Sequence, residues 1–247
     1  MRDERDGLLV LEGAASSAVA ALPSAIIIPF PNRRMPLAAG SKNLADDNSV
    51  SAASDAILMA LAPASAQHAP TLLAAIGAIT GFAIQQMLLL EGGHAWAQPK
   101  RAEHLDRLLL SESERDGSLW FALQKAAHAT GAQHLPDPNT LLQSTLRCVG
   151  TTQFGLVTLP LEYKLLQQPQ ASLCQLWAPV SRALVNDRKS FAQLPNALVQ
   201  VCARRVAIDQ RVVPPHVALR IIMQSALAMA LIEARTIPGA ALKPHVN

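Results

Sequence analysis

The chain has 247 residues, a formal net charge of +3 and only 4% aromatic residues. Alanine and leucine occupy 80 of the 247 positions, and both lose little side-chain entropy in a helix, whereas strands favour branched and aromatic residues. This composition excludes a collagen-like chain, a disulfide scaffold and a fully disordered polyelectrolyte, and it does not favour an all-β sandwich or barrel.

Residues 1–50 predict a flexible N-terminal arm, because they mix small residues, charges and prolines without a sustained period. Inside it, the apolar run 25–31 favours extended backbone, since it holds three isoleucines and two prolines. Two interpretations stay open: a segment packed on the body of the domain, or a short motif that binds a groove or sheet edge of a protein partner. The candidate partner-binding residues of the arm are Ile27, Ile28, Phe30, Arg33 and Arg34.

Residues 51–240 predict an all-helical (all-α) domain. Two nearly apolar stretches, Thr71–Leu90 and His216–Arg235, are typical of the two central helices of a single multi-helix globular bundle. Gly77 and Gly81 are four residues apart and predict a close crossing with another helix. Both stretches are also long enough to span a membrane, but they contain polar residues and lack an interfacial aromatic belt, so a soluble bundle is favoured.

Capping residues, prolines and glycines predict the ends of the other helices. The predicted starts are Asp116, Asp137-Pro138, Pro195 and Pro214-Pro215, and the predicted ends are Gly131, Gly150 and Pro238-Gly239. Residues 151–170 break the helical pattern and predict a long connection that lies across the bundle.

Two runs of the sequence resemble parts of an uncharacterised bacterial all-helical protein family with no assigned activity. They extend from Asp116 through Asp137 and from Ile222 to Ala226, and the run 27–31 is similar to N-terminal arms of bacterial proteins. The resemblance implies an all-helical fold over about residues 55–235. It implies no activity, cofactor or site.

Polar side chains inside the most apolar stretches are the first candidates for a functional site. A buried amide that makes no hydrogen bond costs on the order of 1–3 kcal/mol. Gln85, Gln86, Gln224 and Ser225 therefore either bond across the two central helices and fix their register, which is the favoured interpretation, or line a small ligand pocket together with His94.

Signatures of catalysis are absent from the sequence: it has no dinucleotide fingerprint, P-loop, Gly-x-Ser-x-Gly or Cys-x-x-Cys. Glu91 and His94 have the spacing of di-iron ligands, with His104 and Asp106 nearby, but glycines interrupt the pair and no second Glu-x-x-His exists. We therefore expect no metal and no cofactor, and enzyme activity is not favoured.

Charge and cysteine usage bear on partners and location. The basic residues are scattered or paired, which does not favour nucleic-acid binding, and the N-terminus does not make a good signal peptide. The three cysteines are widely spaced, as expected of buried thiols in a reducing cytosol. We expect a cytoplasmic helical protein that self-associates as a homo-dimer and binds a protein partner through its arm. The alternatives are a small-molecule-binding protein or enzyme with a pocket between the central helices, and a membrane-associated helical protein.

Overall fold

The computed structural model describes residue 55 and residues 68–92, 98–184 and 188–238. This part of the chain is 73% helical, with seven α-helices and no strands, which confirms the predicted all-α fold. The helices are α1 (Ala69–Gly92), α2 (Gln98–Leu110), α3 (Leu119–Ala129), α4 (Pro138–Cys148), α5 (Pro169–Leu184), α6 (Arg188–Asp209) and α7 (Pro215–Ala230).

Side-chain caps begin two of the shorter helices. Asp137 accepts a hydrogen bond from the Thr140 backbone N–H at 2.7 Å, so α4 starts where the sequence predicts. The predicted cap of α3 is wrong, because Ser118 rather than Asp116 accepts the Phe121 N–H, at 3.1 Å. Asp116 instead ends a short 3₁₀ helix, where its carboxylate accepts a hydrogen bond from a serine hydroxyl.

Pro195 does not begin a helix as predicted, because it lies inside α6, which starts at Arg188. A proline inside a helix removes one backbone hydrogen bond, and its ring crowds the carbonyl group four residues earlier, at a cost of about 3 kcal/mol. Leu194 and Ala197 beside it are buried, and their packing offsets the local loss. In the same way α5 continues through Pro179.

The last helix ends at Ala230, eight residues before the predicted end at Pro238. Carbonyl groups at a helix end have no partner within the helix. Here the Gln85 side chain of α1 supplies one, since its Nε2 donates to the Ala230 oxygen at 2.9 Å and to the Ile232 oxygen at 2.6 Å. A side chain from a distant helix, rather than a local stop signal, therefore provides hydrogen bonds to the carbonyl groups at the end of α7.

The core is built on α1 and α7, the two apolar helices that the sequence predicts at its centre. The two helices run parallel, because the residue numbers of the contacting positions increase together along both helices. The matched positions are Gly77 with Ile222, Gly81 with Ala226, and Gln85 with Ala230. A Cβ atom would lie 2.9 Å from the Ile222 Cα if added at Gly77, and 2.7 Å from the Ala226 Cα if added at Gly81. The predicted close crossing at the glycines is confirmed.

The other helices surround this pair. Helices α2, α5 and α6 pack against α1, whereas α3, α4 and α6 pack against α7. Phe82 of α1 meets Trp177 of α5 edge to face, with the ring centroids 4.8 Å apart. Trp120 of α3 is also buried, as expected of a core anchor.

Candidate functional site

The predicted polar residues of α1 and α7 do not converge on one pocket among the described residues. Gln85 bonds to the end of α7, whereas Gln224 lines a small cavity beside α4. Gln86 and Ser225 are buried, and neither Gln86 Nε2 nor Ser225 Oγ has a hydrogen-bond partner within the described part of the chain. His94 lies outside the described residues.

The cavity at Gln224 has a volume of about 60 Å³ and lies between α4, the segment that follows it, and α7. Its polar lining side chains are Ser144, Thr145, Cys148, Gln153, Thr158 and Gln224. The Ser144 and Thr145 hydroxyls already donate to the Leu141 carbonyl, at 2.7 and 2.9 Å. The buried Gln224 Oε1 accepts no hydrogen bond from any described residue, so it is available to a water or a small donor group.

The size of this cavity limits what it can do. A volume of 60 Å³ holds a few water molecules, whereas typical ligand sites measure roughly 300–1,000 Å³. None of the lining residues carries a formal charge. The cavity fits a hydration site or a group of a few heavy atoms, and its lining provides no base to activate the Cys148 thiol.

The three cysteines differ in burial. Cys202 is buried in the core, where its Sγ lies 3.3 Å from the Thr80 hydroxyl, but Cys148 and Cys174 are only half-buried. Burial raises the pKa of the Cys202 thiol to about 12, and the contact with Thr80 opposes part of that rise. Burial also raises the pKa of the Cys174 thiol. All three thiols are free, with no disulfide between them.

The candidate metal ligands are only partly within the described structure. The side chains of Glu91 and His94 lie outside it. His104 Nδ1 lies 2.8 Å from the Lys100 carbonyl one turn earlier in α2. Among the described residues, no group of three His, Cys, Asp or Glu side chains is placed to hold a metal ion.

The segment between α4 and α5 exposes three leucine side chains on the described surface. We call residues 156–166 the leucine loop. Leu156, Leu161 and Leu166 keep 49%, 85% and 74% of their surface exposed. Phe154 and Leu165 are buried beside them, so the loop is fixed on the body while three leucines face solvent.

The leucine loop lies beside the start of α1. The Leu166 backbone N–H donates to the Thr71 hydroxyl at 2.9 Å. Thr71 lies in the first turn of α1. The chain before α1 therefore enters the body next to the exposed Leu166.

Sequence reasoning predicts this segment as a connection and does not identify it as a candidate surface. The available signal is its composition, because residues 149–168 hold five leucines but only one Glu and one Lys. Loops normally run over the surface and are rich in Gly, Pro and polar residues. Five leucines in a connection whose helical part is one 3₁₀ turn, Leu161–Tyr163, therefore point to a second role.

The candidate arm residues Ile27, Ile28, Phe30, Arg33 and Arg34 lie outside the described residues. Upstream of His68 the structure describes Asp55, whose carboxylate accepts a hydrogen bond from the guanidinium of Arg204 on α6. This ion pair is exposed on both sides. It shows that the chain before α1 returns to the body of the domain at least once.

One described helix is long and apolar enough to cross a membrane. It is the stretch Ala69–Leu90 of α1, and 94% of its apolar window is buried inside the protein. A buried core helix passes the same test, so this feature is weak support for a membrane location. The other predicted stretch, 216–235, is interrupted at Ala230, where α7 ends after 16 residues.

Comparison with known proteins assigns no family to this chain. It matches no protein-family model, no curated protein and no solved structure at a significant level. The resemblance to a bacterial all-helical family stays a prediction. The described features that bear on function are thus the small cavity at Gln224 and the exposed leucine loop.

Proposed function

We propose that this protein is a self-associating helical interaction protein and that a second copy of the chain binds at the leucine loop. The observation that supports this proposal is the exposure of Leu156, Leu161 and Leu166 on a loop that Phe154 and Leu165 hold against the core. Apolar patches on the surface of soluble proteins often mark binding sites.

The magnitude of the contact predicts a weak dimer. Burying three largely exposed leucines stabilises a contact by about 4 kcal/mol per copy, or about 8 kcal/mol for a symmetric pair. Association costs at least about 4 kcal/mol in lost translational and rotational freedom. The remainder is at most about 4 kcal/mol, which corresponds to a Kd of about 1 mM or weaker.

We also propose that the protein works in the cytoplasm and is of bacterial origin. Three free thiols fit a reducing compartment. The resemblance of the runs 116–137 and 222–226 to a bacterial family supports the proposed origin.

The two alternative functions have less support. A pocket for a small molecule would be the cavity at Gln224, which at about 60 Å³ is smaller than typical ligand sites. A membrane-associated role would need α1 to contact lipid, whereas most of its apolar window is buried. We therefore favour association between copies.

Sedimentation velocity of the full chain from about 10 µM to about 1 mM, a range that reaches the expected Kd, tests the proposal. We expect a concentration-dependent shift from monomer toward dimer. The variants Leu161→Glu and Leu166→Glu should stay monomeric throughout, because each would bury an unpaired carboxylate at the interface. Ile208→Glu on α6 is the matched control, since Ile208 is likewise 58% exposed but lies outside the loop.

Two outcomes would overturn the proposal. One is a wild-type chain that stays monomeric at every concentration. The other is a dimer that Ile208→Glu weakens as strongly as Leu161→Glu does, because the contact would then not depend on the leucine loop.

A further inference from the structure

We infer that the leucine loop is also the docking site of the chain's own apolar segment, Ala25–Pro31, and that this intramolecular contact competes with a second copy. The inference rests on the proposed function for what it regulates, but the docking itself does not need a dimer. Its partner is a stretch of three isoleucines, a phenylalanine and two prolines, an apolar sequence that favours extended backbone.

The first argument is the point at which the N-terminal part of the chain joins the body. The Leu166 N–H donates to the Thr71 hydroxyl in the first turn of α1, so α1 begins beside the exposed Leu166. The pairing of Asp55 with Arg204 shows that this part of the chain already contacts the body at one point. The apolar segment therefore belongs to a chain that is held close to the loop.

The second argument is reach. Residues 32–54, a linker of 23 residues, separate Pro31 from Asp55, which is bound to Arg204 on α6. A flexible chain of that length has a root-mean-square end-to-end distance of about 26 Å. Arg204 is two residues from Cys202, whose Sγ lies 3.3 Å from the Thr80 hydroxyl, and Thr80 is nine residues, or about 14 Å, along α1 from Thr71. The leucine loop is therefore within reach of the apolar segment without an extended linker.

The third argument compares the two occupants. A segment tethered by a linker of this length has an effective concentration on the order of 1 mM. In a cell, the concentration of a second copy is far lower than this effective concentration. For equal apolar contacts with a Kd near 1 mM, the chain's own segment therefore occupies the loop about half of the time, which is far more often than a second copy does, and a second copy binds when that segment is released.

The test uses the full chain with the photo-reactive residue p-benzoylphenylalanine in place of Phe30. After irradiation at low micromolar protein, we expect cross-links to peptides of residues 156–166. Mixing isotopically heavy and light chains before irradiation separates cross-links within one chain from cross-links between two chains. The expected product joins segments of equal isotope content.

The matched control carries the same probe at Leu44. This position is closer along the chain to α1, so simple tethering predicts at least as much cross-linking from Leu44 as from Phe30. Docking predicts the opposite. Leu161→Ser, at an exposed position, should reduce the Phe30 cross-link at least threefold while leaving the helical circular dichroism signal unchanged.

The arm variant Ile27→Ser/Ile28→Ser/Phe30→Ser measures the competition. We expect it to lower the apparent Kd of the dimer by up to about fourfold, because the loop of each of the two copies is then free about twice as often. An equal Leu44 signal, cross-links outside residues 156–166, or an unchanged signal in Leu161→Ser would each overturn the docking.

The two proposals fail in different ways. Cross-links that join only heavy with light chains would overturn docking within one chain and leave self-association standing. A protein that stays monomeric at all concentrations, but cross-links from Phe30 to the leucine loop within one chain, would overturn self-association and leave the docking standing.

Discussion

Two parts of the protein differ in how they place apolar surface. Apolar groups are buried where α1 contacts α7, whereas three leucines are exposed in the leucine loop. At the helix pair, glycines bring backbone against backbone, and a single added methyl group at Gly81 would overlap Ala226. At the loop, Leu161 and Leu166 remain largely exposed although their neighbour Leu165 is buried. The first region leaves no room for another group, whereas in the second no described residue covers Leu161 or Leu166.

This difference separates stability from association. Side chains at the helix pair contribute to the free energy of unfolding, because removing or enlarging them disturbs a close-packed core. Exposed leucines contribute little to folding, so their substitution should change binding and leave the fold intact. Substitutions in the two regions should therefore produce different readouts.

The largest effect should come from Gly81→Ala. The new Cβ would lie 2.7 Å from the Ala226 Cα and closer still to its carbonyl oxygen, so the helices must separate. We expect the free energy of unfolding to fall by at least about 3 kcal/mol, despite the better helix propensity of alanine. Urea unfolding followed by circular dichroism measures this change.

Gly117→Ala is the control for Gly81→Ala. Gly117 has a φ of 60°, and nothing lies within 4 Å of an added Cβ. Gly117→Ala should lower the free energy of unfolding only by the cost of the left-handed conformation, about 1–2 kcal/mol. An equal loss in both variants would mean that the close approach of the helices has little weight.

The neighbouring glutamines of α1 should respond in opposite directions. Gln85→Leu removes the donor to the Ala230 and Ile232 carbonyls, and we expect a loss of about 2 kcal/mol in the free energy of unfolding. Gln86→Leu removes a buried amide whose Nε2 has no described partner, and should be neutral or stabilising. The same urea titration compares the pair, and an equal loss in both would contradict the capping role of Gln85.

The core thiol should make stability depend on pH. Its pKa lies at about 12 in the folded protein against an ordinary value of 9.0, so the unfolded chain releases this proton first as pH rises. The contribution of the protonated Cys202 thiol to the free energy of unfolding is complete below pH 9. It is lost toward pH 12, by at most about 1.4 kcal/mol per pH unit. The variant Cys202→Ala should flatten this decline in unfolding titrations between pH 8 and 10.5, whereas Cys148→Ala should retain it. Identical slopes in all three proteins would contradict the assignment.

The smallest effect on folding should come from the exposed leucines of the loop. Leu161→Ser should change the free energy of unfolding by no more than about 0.5 kcal/mol, since its side chain is exposed. Leu165→Ser, four residues later but buried, should cost about 3 kcal/mol. Thermal melts of the two variants at low protein concentration test whether the loop is seated on the body as the structure describes.

The helices and their central pair were predictable because the signals are local. Apolar stretches of 20 residues identify α1 and most of α7, and Asp137 before a proline marks the start of α4. The end of α7 was not predictable, because a side chain 145 positions earlier in the chain satisfies its carbonyl groups. The start of α6 was missed because Pro195 is tolerated where its neighbours are buried.

The candidate site was harder to predict than the fold. The sequence indicates that Gln85 and Gln224 need partners, but it does not indicate that they lie at different places in the core. The alternation of buried and exposed leucines in residues 156–166 has no regular period, because the loop follows the shape of the body beneath it. Exposure of this kind depends on packing between distant elements.

The parallel pairing of α1 and α7 also determines when the fold can close during synthesis. Gly77 must wait for Ile222, which is 145 residues later, and at about 5–20 residues per second the ribosome needs roughly 10 seconds to supply it. Until then the most apolar helix of the chain lacks its main partner. We therefore expect the nascent protein to depend on chaperones that cover apolar segments, and to aggregate when translation stops before α7 emerges.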